Sequence, residues 1–234
     1  MHVLLLRPVP GNERFGLGPF FRIEPLGMEY IAAALEARGH TVAIADLRFS
    51  APLERQLRRT RPHVVGIAGM HALETDAVLA LAREVRRLAP GTPIVLGGHT
   101  ASAYPDPFLS ADVDAVVLDD GERVMPEIVE ALAKGRALRD VPGVALSDGS
   151  DGIIRTGSSG DRFELDAVPL PARHLRPHLA RPVRLPRPSS DLAGRDGARL
   201  SVPLLVLLDL AAARAFRARA LDRVRVSGHG ELRQ

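Results

Sequence analysis

The chain has 234 residues, of which 46% are apolar, and it contains no cysteine. That composition supports one sizeable core but excludes disulfides and thiolate-held metal clusters in this chain. Residues 171–234 hold 13 arginines and 5 acidic residues, whereas residues 1–170 hold 18 basic and 23 acidic residues. Because the basic part has few aromatic residues for stacking on bases, we do not expect a nucleic-acid partner.

The N-terminal apolar run is shorter than a secretory signal, and no window approaches the roughly 18 apolar residues of a membrane span. The longest apolar stretch, 200–216, is interrupted by Asp209 and Arg214. These features predict a cytoplasmic protein without a membrane span.

Short apolar runs alternate along the chain with segments of helical periodicity. The predicted strands are Val3–Leu6, Thr41–Ala45, His63–Ala68, Pro93–Leu96 and Ala115–Leu118. The predicted helices are Leu26–Arg38, Leu53–Arg59, Glu74–Leu88 and Val124–Ala133. The strands are continuously apolar, as expected for a parallel sheet that is covered on both faces. We therefore predict a doubly wound α/β fold of the Rossmann-like or flavodoxin-like kind, with five parallel strands in the order 2-1-3-4-5.

Two further strands, Val144–Leu146 and Ile153–Arg155, flank a polar Gly-containing turn and predict an appended β-hairpin. The sequence thus divides into an α/β domain (1–140), a hairpin and linker (141–170) and an Arg- and Pro-rich tail (171–234). The tail has weak periodicity, and we expect it to be poorly ordered.

The ligands of such sheets bind outside the carboxyl ends of the strands. The loops that should meet there are Arg7–Pro25, Gly69–Leu73, Gly97–Tyr104 and Asp119–Glu122, and small residues are frequent in them. Small side chains allow the backbone to approach a broad, flat ligand closely. The fingerprints of dinucleotide, P-loop and nucleophile-elbow sites are missing from these loops, and the third strand ends without the aspartate of a phospho-receiver.

Polar residues in the same loops admit structural explanations. His71 and His99 favour loop hydrogen bonding over metal ligation, and neither lies in an Asp-x-His-x-x-Gly motif. Asp120 and Glu122 suit the start of the last helix as much as contact with a ligand. The sequence therefore predicts no catalytic residue and no protein ligand to a metal.

Several stretches resemble the N-terminal cobalamin (B12)-binding domain of B12-dependent radical SAM proteins, in particular the hopanoid C-3 methylase group. The matching stretches are Arg22–Glu29, Ala37–Val42, Val64–Ile67, Val95–Ser102 and Asp119–Glu122. They keep the order and spacing of the family over about residues 1–175. The family usually has Gly-Glu-Gly-Glu where this chain has Asp-Asp-Gly-Glu at 119–122.

The resemblance implies that cobalamin lies across these loops with the corrin ring facing outward and the nucleotide tail beside the sheet. No protein histidine would bind the cobalt. From loop position, we predict that the cofactor contacts Pro8, Glu24, Leu26, Gly69, Met70, His71, Gly97, Gly98, His99, Thr100 and Gly121.

In the family, a following domain holds a 4Fe–4S cluster through Cys-x-x-x-Cys-x-x-Cys and cleaves S-adenosylmethionine. Because this chain has no cysteine, we expect it to bind cobalamin alone, without the cluster or S-adenosylmethionine chemistry. It would be a methyltransferase-like protein truncated before its catalytic core, which a radical SAM domain on another chain could supply.

Residues Ala198–Leu210 lie where the family's cluster motif should begin. Read one base later, suitable codons for this stretch can spell Arg-Gly-Cys-Pro-Tyr-Arg-Cys-Ser-Phe-Cys-Ser-Thr-Trp, although Leu-rich segments produce such matches easily. The hypothesis is that the tail from about Arg181 is a displaced reading frame, which the coding DNA would decide.

Two other functions remain open from the sequence. One is a standalone carrier or regulatory module that delivers cobalamin to a partner. The other is an enzyme of the same fold that uses a flavin or a nucleotide-sugar.

Overall fold

The computed structural model describes residues 1–9, 24–149, 152–158 and 168–175, all of which belong to one unit of the chain, Met1–Pro182. Seven strands form a single sheet: β1 (His2–Arg7), β2 (Thr41–Asp46), β3 (Val64–Ala68), β4 (Ile94–Gly97), β5 (Ala115–Val117), β6 (Val144–Ser147) and β7 (Ile153–Arg155). Their order is β2-β1-β3-β4-β5-β6-β7. The first five strands are parallel, and β6 and β7 are added antiparallel at one edge.

Within the described residues, five α-helices cover the sheet: α1 (Leu26–Ala37), α2 (Leu53–Thr60), α3 (Thr75–Leu88), α4 (His99–Ala103) and α5 (Gly121–Ala133). Alternate strand residues point to opposite faces, which creates two apolar cores. One core joins Val3 and Leu5 of β1 to α1 and α5, while the other joins Leu4 and Leu6 to α2 and α3.

The predicted α/β fold and the order of its parallel strands are confirmed. The predicted appended hairpin forms, and it extends the sheet to seven strands because Val116 and Val117 of β5 pair with Ala145 and Val144.

Two helical details differ from the sequence prediction. Helix α5 begins at Gly121 rather than Val124, and His99–Ala103 forms the short helix α4 instead of a loop. Pro126 lies inside α5, in its second turn, where it has no N–H to donate to the carbonyl of Glu122. Both helices begin directly after the ends of parallel strands, at the edge where ligands bind in this type of sheet.

Among the described residues, no helix is both long and apolar enough to cross a membrane. Residues 10–23, 150–151, 159–167 and 176–234 lie outside the described part of the chain, and so do most of the predicted tail and its proposed frame change. The first residues of the predicted tail are described: Arg173–Leu175 form a 3₁₀ turn, and Ala172 is buried.

Candidate functional site

A pocket of about 500 Å³ opens at the carboxyl ends of the parallel strands. It lies beside β1, β3, β4 and β5 and next to the N-terminal ends of α1 and α5. This is the position predicted for a ligand, since strand order reverses between β1 and β3.

The pocket exists because three small residues face α1 and α5 where larger side chains would fill the space. Gly66 and Ala68 of β3 and Gly97 of β4 lie in the pocket wall. Val64, two residues before Gly66, is on the same side of β3 and is fully buried in the core. The sheet is therefore packed tightly at its amino end and left open at its carboxyl end.

The deeper wall of the pocket is apolar. On the sheet side it consists of Leu5, Val95 and Val117, and on the helix side of Ile31 and Met125. Leu5, Gly66 and Val95 are neighbours across three strands, because Leu5 pairs with Gly66 and Gly66 pairs with Val95. The result is an apolar recess between the sheet and the pair of helices α1 and α5.

A tight turn after β4 shapes the rim of the pocket. Gly98 has a φ of 110°, and a Cβ added there would lie 2.9 Å from the carbonyl oxygen of Gly69. The Gly69 amide donates to the Gly97 carbonyl at 2.6 Å, and the Thr100 hydroxyl donates to the Met70 carbonyl at 2.9 Å. These bonds tie the loops after β3 and β4 together, which only glycine at position 98 permits.

Acidic residues line the side of the pocket near α5: Asp119, Asp120 and Glu122. Burial, with a smaller contribution from the charge of Asp120, raises the pKa of Glu122 above its usual 4.5. The neutral carboxyl that burial favours can donate a hydrogen bond as well as accept one.

A positive charge stands on the opposite side of the pocket. Arg7 lines it and lies 3.9 Å from the buried carboxylate of Asp46, measured between Nη1 and Oδ2. Asp46 also accepts from Nε of Arg48 at 2.8 Å and from its Nη2 at 2.5 Å. Burial and the charge of Arg48 lower the pKa of Arg7. The pocket therefore has its basic group near β1 and its acidic groups near α5.

Eight of the eleven residues predicted to contact a ligand line this pocket: Glu24, Leu26, Met70, His71, Gly97, Gly98, His99 and Gly121. The other three do not line it. Pro8 is buried directly after the end of β1, while Gly69 and Thr100 hold the rim through the two hydrogen bonds described above.

The residues of the deep wall were not predicted from the sequence, because they lie in strands and helices rather than in the loops: Leu5, Ile31, Gly66, Val95, Val117 and Met125. A signal was present in β3, where Val64 is followed on the same face of the strand by two small residues, Gly66 and Ala68. Small residues at every second position of a strand leave space in the core on one face of the sheet.

Within the described ranges, no three histidine, aspartate or glutamate side chains are grouped as metal ligands would be. His71 and His99 are both exposed at the rim. The arrangement suits an organic ligand that is held by shape and apolar contact.

Residues 20–129 match the family described as B12 binding domain. The matched range contains the rim turn, the acidic side and nearly all of the deep wall of the pocket. This part of the chain is therefore similar to B12-binding domains.

Two relatives of the chain are a methylase and a methyltransferase. It is 31% identical over 135 residues to a hopanoid C-3 methylase of Methylococcus capsulatus, a match that covers 56% of this chain and 26% of the relative. It is 28% identical over 161 residues to an uncharacterized methyltransferase of Pyrococcus horikoshii, covering 65% of this chain and 34% of the relative. The chain thus spans about a quarter to a third of the length of these relatives.

The fold is shared with the radical S-adenosylmethionine methyltransferase TsrM of Kitasatospora setae, solved with cobalamin and a 4Fe–4S cluster bound. The TM-score is 0.58 at 22% identity, over 72% of this chain and 31% of that one. The described domain is therefore similar in sequence to B12-binding domains and to part of a methylase, and it shares its fold with part of a radical S-adenosylmethionine methyltransferase.

Proposed function

We propose that the protein binds cobalamin at the carboxyl edge of its sheet, with the corrin ring over the rim and the nucleotide tail in the pocket. The observation that carries this proposal is the pocket itself, a recess of about 500 Å³ bounded by a glycine-built rim. That volume suits a drug-sized group, and a whole corrinoid is larger. Only the narrower nucleotide end fits inside, so the flat macrocycle remains over the loops.

The residues at the rim fit a flat ligand. Gly97 and Gly98 present backbone rather than side chains, and Met70 beside them is an exposed apolar residue. The corrin ring carries amide groups at its edge. Their N–H groups can donate hydrogen bonds to the carboxylates of Asp119 and Asp120. Bound cobalamin would supply a cobalt centre for methyl transfer, and this chain's own residues would bind and orient the cofactor.

Neither His71 nor His99 is proposed as a ligand of the cobalt. Both side chains are exposed and lie outside an Asp-x-His-x-x-Gly motif. We assign them to the rim on which the corrin ring rests.

The wider protein is proposed to be methyltransferase-like and to work with a radical SAM domain. These 234 residues contain no cysteine, so the thiolates that hold an iron–sulfur cluster would come from residues outside this sequence, for example from a radical SAM domain on another chain. We therefore expect binding of cobalamin by this chain alone, without cleavage of S-adenosylmethionine.

The binding proposal is tested by mixing the full chain with hydroxocobalamin and separating bound from free cofactor by gel filtration. We expect the visible corrin absorption to co-elute with the protein in a one-to-one ratio. Flavin mononucleotide and a nucleotide-sugar serve as competitors of a different class. Elution of the protein without corrin absorption would contradict the proposal, and retention of either competitor instead would favour the alternative enzyme.

A further inference from the structure

The side chains in the deep part of the pocket are apolar, whereas those at the rim are polar. Its six residues, Leu5, Ile31, Gly66, Val95, Val117 and Met125, carry no side-chain nitrogen or oxygen. The rim, in contrast, carries the polar side chains of Arg7, Asp119, Asp120 and Glu122. A ligand that enters the recess therefore passes from polar to apolar surroundings.

The backbone of the recess is also engaged. Leu5, Gly66 and Val95 belong to the parallel ladder that joins β1, β3 and β4. The hydroxyl of Ser102, which also lines the pocket, donates to the Val117 carbonyl at 2.8 Å. A polar group placed deep in the recess would exchange its hydrogen bonds with water for apolar contact.

We propose that this recess selects corrinoids by the base of their nucleotide tail, accepting dimethylbenzimidazole and disfavouring adenine. The inference rests on the proposed function, because it takes the tail to be the part of the ligand that enters the pocket. Dimethylbenzimidazole brings two methyl groups and a single free ring nitrogen into apolar surroundings. Adenine brings an amino group and several ring nitrogens, and each one buried without a partner weakens binding.

Gly66 sets the depth that is open to the base. A Cβ added at this position would lie 2.8 Å from Cδ2 of Leu5 and 3.4 Å from Cε of Met125. Leu5 is itself buried in the core, so it has little room to withdraw. Gly66→Ala should therefore make the recess shallower while leaving the rim unchanged.

The test compares three ligands on the full chain: hydroxocobalamin, its adenine-containing analogue, and cobinamide, which lacks the nucleotide. Dissociation constants are measured by titration calorimetry at constant pH and salt. We expect cobalamin to bind at least tenfold more tightly than either of the other two, since a desolvated polar group costs about this factor or more. Gly66→Ala should weaken the binding of cobalamin by a similar factor and leave the affinity for cobinamide unchanged.

Gly157→Ala is the matched control, because a Cβ at Gly157 meets nothing within 4 Å and Gly157 is not among the residues that line the pocket. Equal affinity for cobalamin and the adenine analogue would overturn the base selection, and tighter binding of the adenine analogue would reverse it. If Gly66→Ala does not fold, the ranking of the three ligands on the unaltered chain still decides. Failure of all three corrinoids to bind would instead overturn the proposed function.

Discussion

Replacing Gly98 by alanine is expected to damage both the stability of the domain and its affinity for cobalamin. Gly98 has a φ of 110° and a ψ of 167°, a conformation that is almost exclusive to glycine. Forcing another residue into such a region costs about 1–3 kcal/mol. A Cβ at this position would also press on the Gly69 carbonyl at 2.9 Å, and a backbone atom cannot turn away as a side chain can.

The affinity should fall because the clash lies in the rim of the pocket. Gly69 and Met70 would have to move, and Met70 would lose the hydrogen bond from Thr100 that now fixes its carbonyl. We expect Gly98→Ala to weaken hydroxocobalamin binding by about tenfold or more, which corresponds to at least about 1.4 kcal/mol. Urea unfolding measures the stability, and titration calorimetry below the unfolding transition measures the affinity.

Gly157→Ala again provides the control, because it makes the same chemical change where no atom lies within 4 Å. It should leave the affinity unchanged and alter stability by less than about 0.5 kcal/mol. If Gly98→Ala behaves like this control, the described turn does not shape the binding site.

Replacing Asp46 by alanine is expected to produce the larger loss of stability. Asp46 is only 8% exposed, and its carboxylate accepts two hydrogen bonds from the Arg48 guanidinium and one from the Arg48 amide. Arg7 also lies within 3.9 Å of it. Without Asp46, two largely buried guanidinium groups would face each other, and breaking a buried pair in this way costs about 3–5 kcal/mol.

Asp106→Ala is a matched control at an exposed ion pair. Asp106 accepts from Arg155 at 2.8 Å, but both side chains are more than half exposed, so its loss should cost less than about 1 kcal/mol. The measurement is the free energy of unfolding in urea for both variants. Similar losses for the two variants would show that burial of the Asp46 pair does not matter.

The sequence alone predicted the parallel strands well because each is a short apolar run that ends at small or polar residues. The order 2-1-3-4-5 followed from the preference for right-handed crossovers. The added strands β6 and β7 were recognised as a hairpin, but their pairing with β5 depends on contacts between Val116 and Ala145 that no local pattern encodes.

The rim of the site was likewise accessible from the sequence, because loops that follow parallel strands must lie on one edge. The recess was not, since its depth depends on strand register. Gly66 opens the recess only because it pairs with Leu5 on one side and Val95 on the other, and because Met125 of α5 lies above it. The small residues Gly66 and Ala68 indicate an unfilled face of β3, but the contacts that set the depth of the recess are long-range and are not encoded in local composition.

Hydrogen exchange of the full chain, with and without hydroxocobalamin, tests most directly whether the cofactor occupies this edge of the sheet. We expect slower amide exchange on binding in the segments 66–71, 97–103 and 119–125, which form the pocket and its rim, and unchanged exchange in the hairpin strands Val144–Ser147 and Ile153–Arg155. Bound cobalamin that protects the hairpin while leaving those three segments unaltered would contradict the assignment.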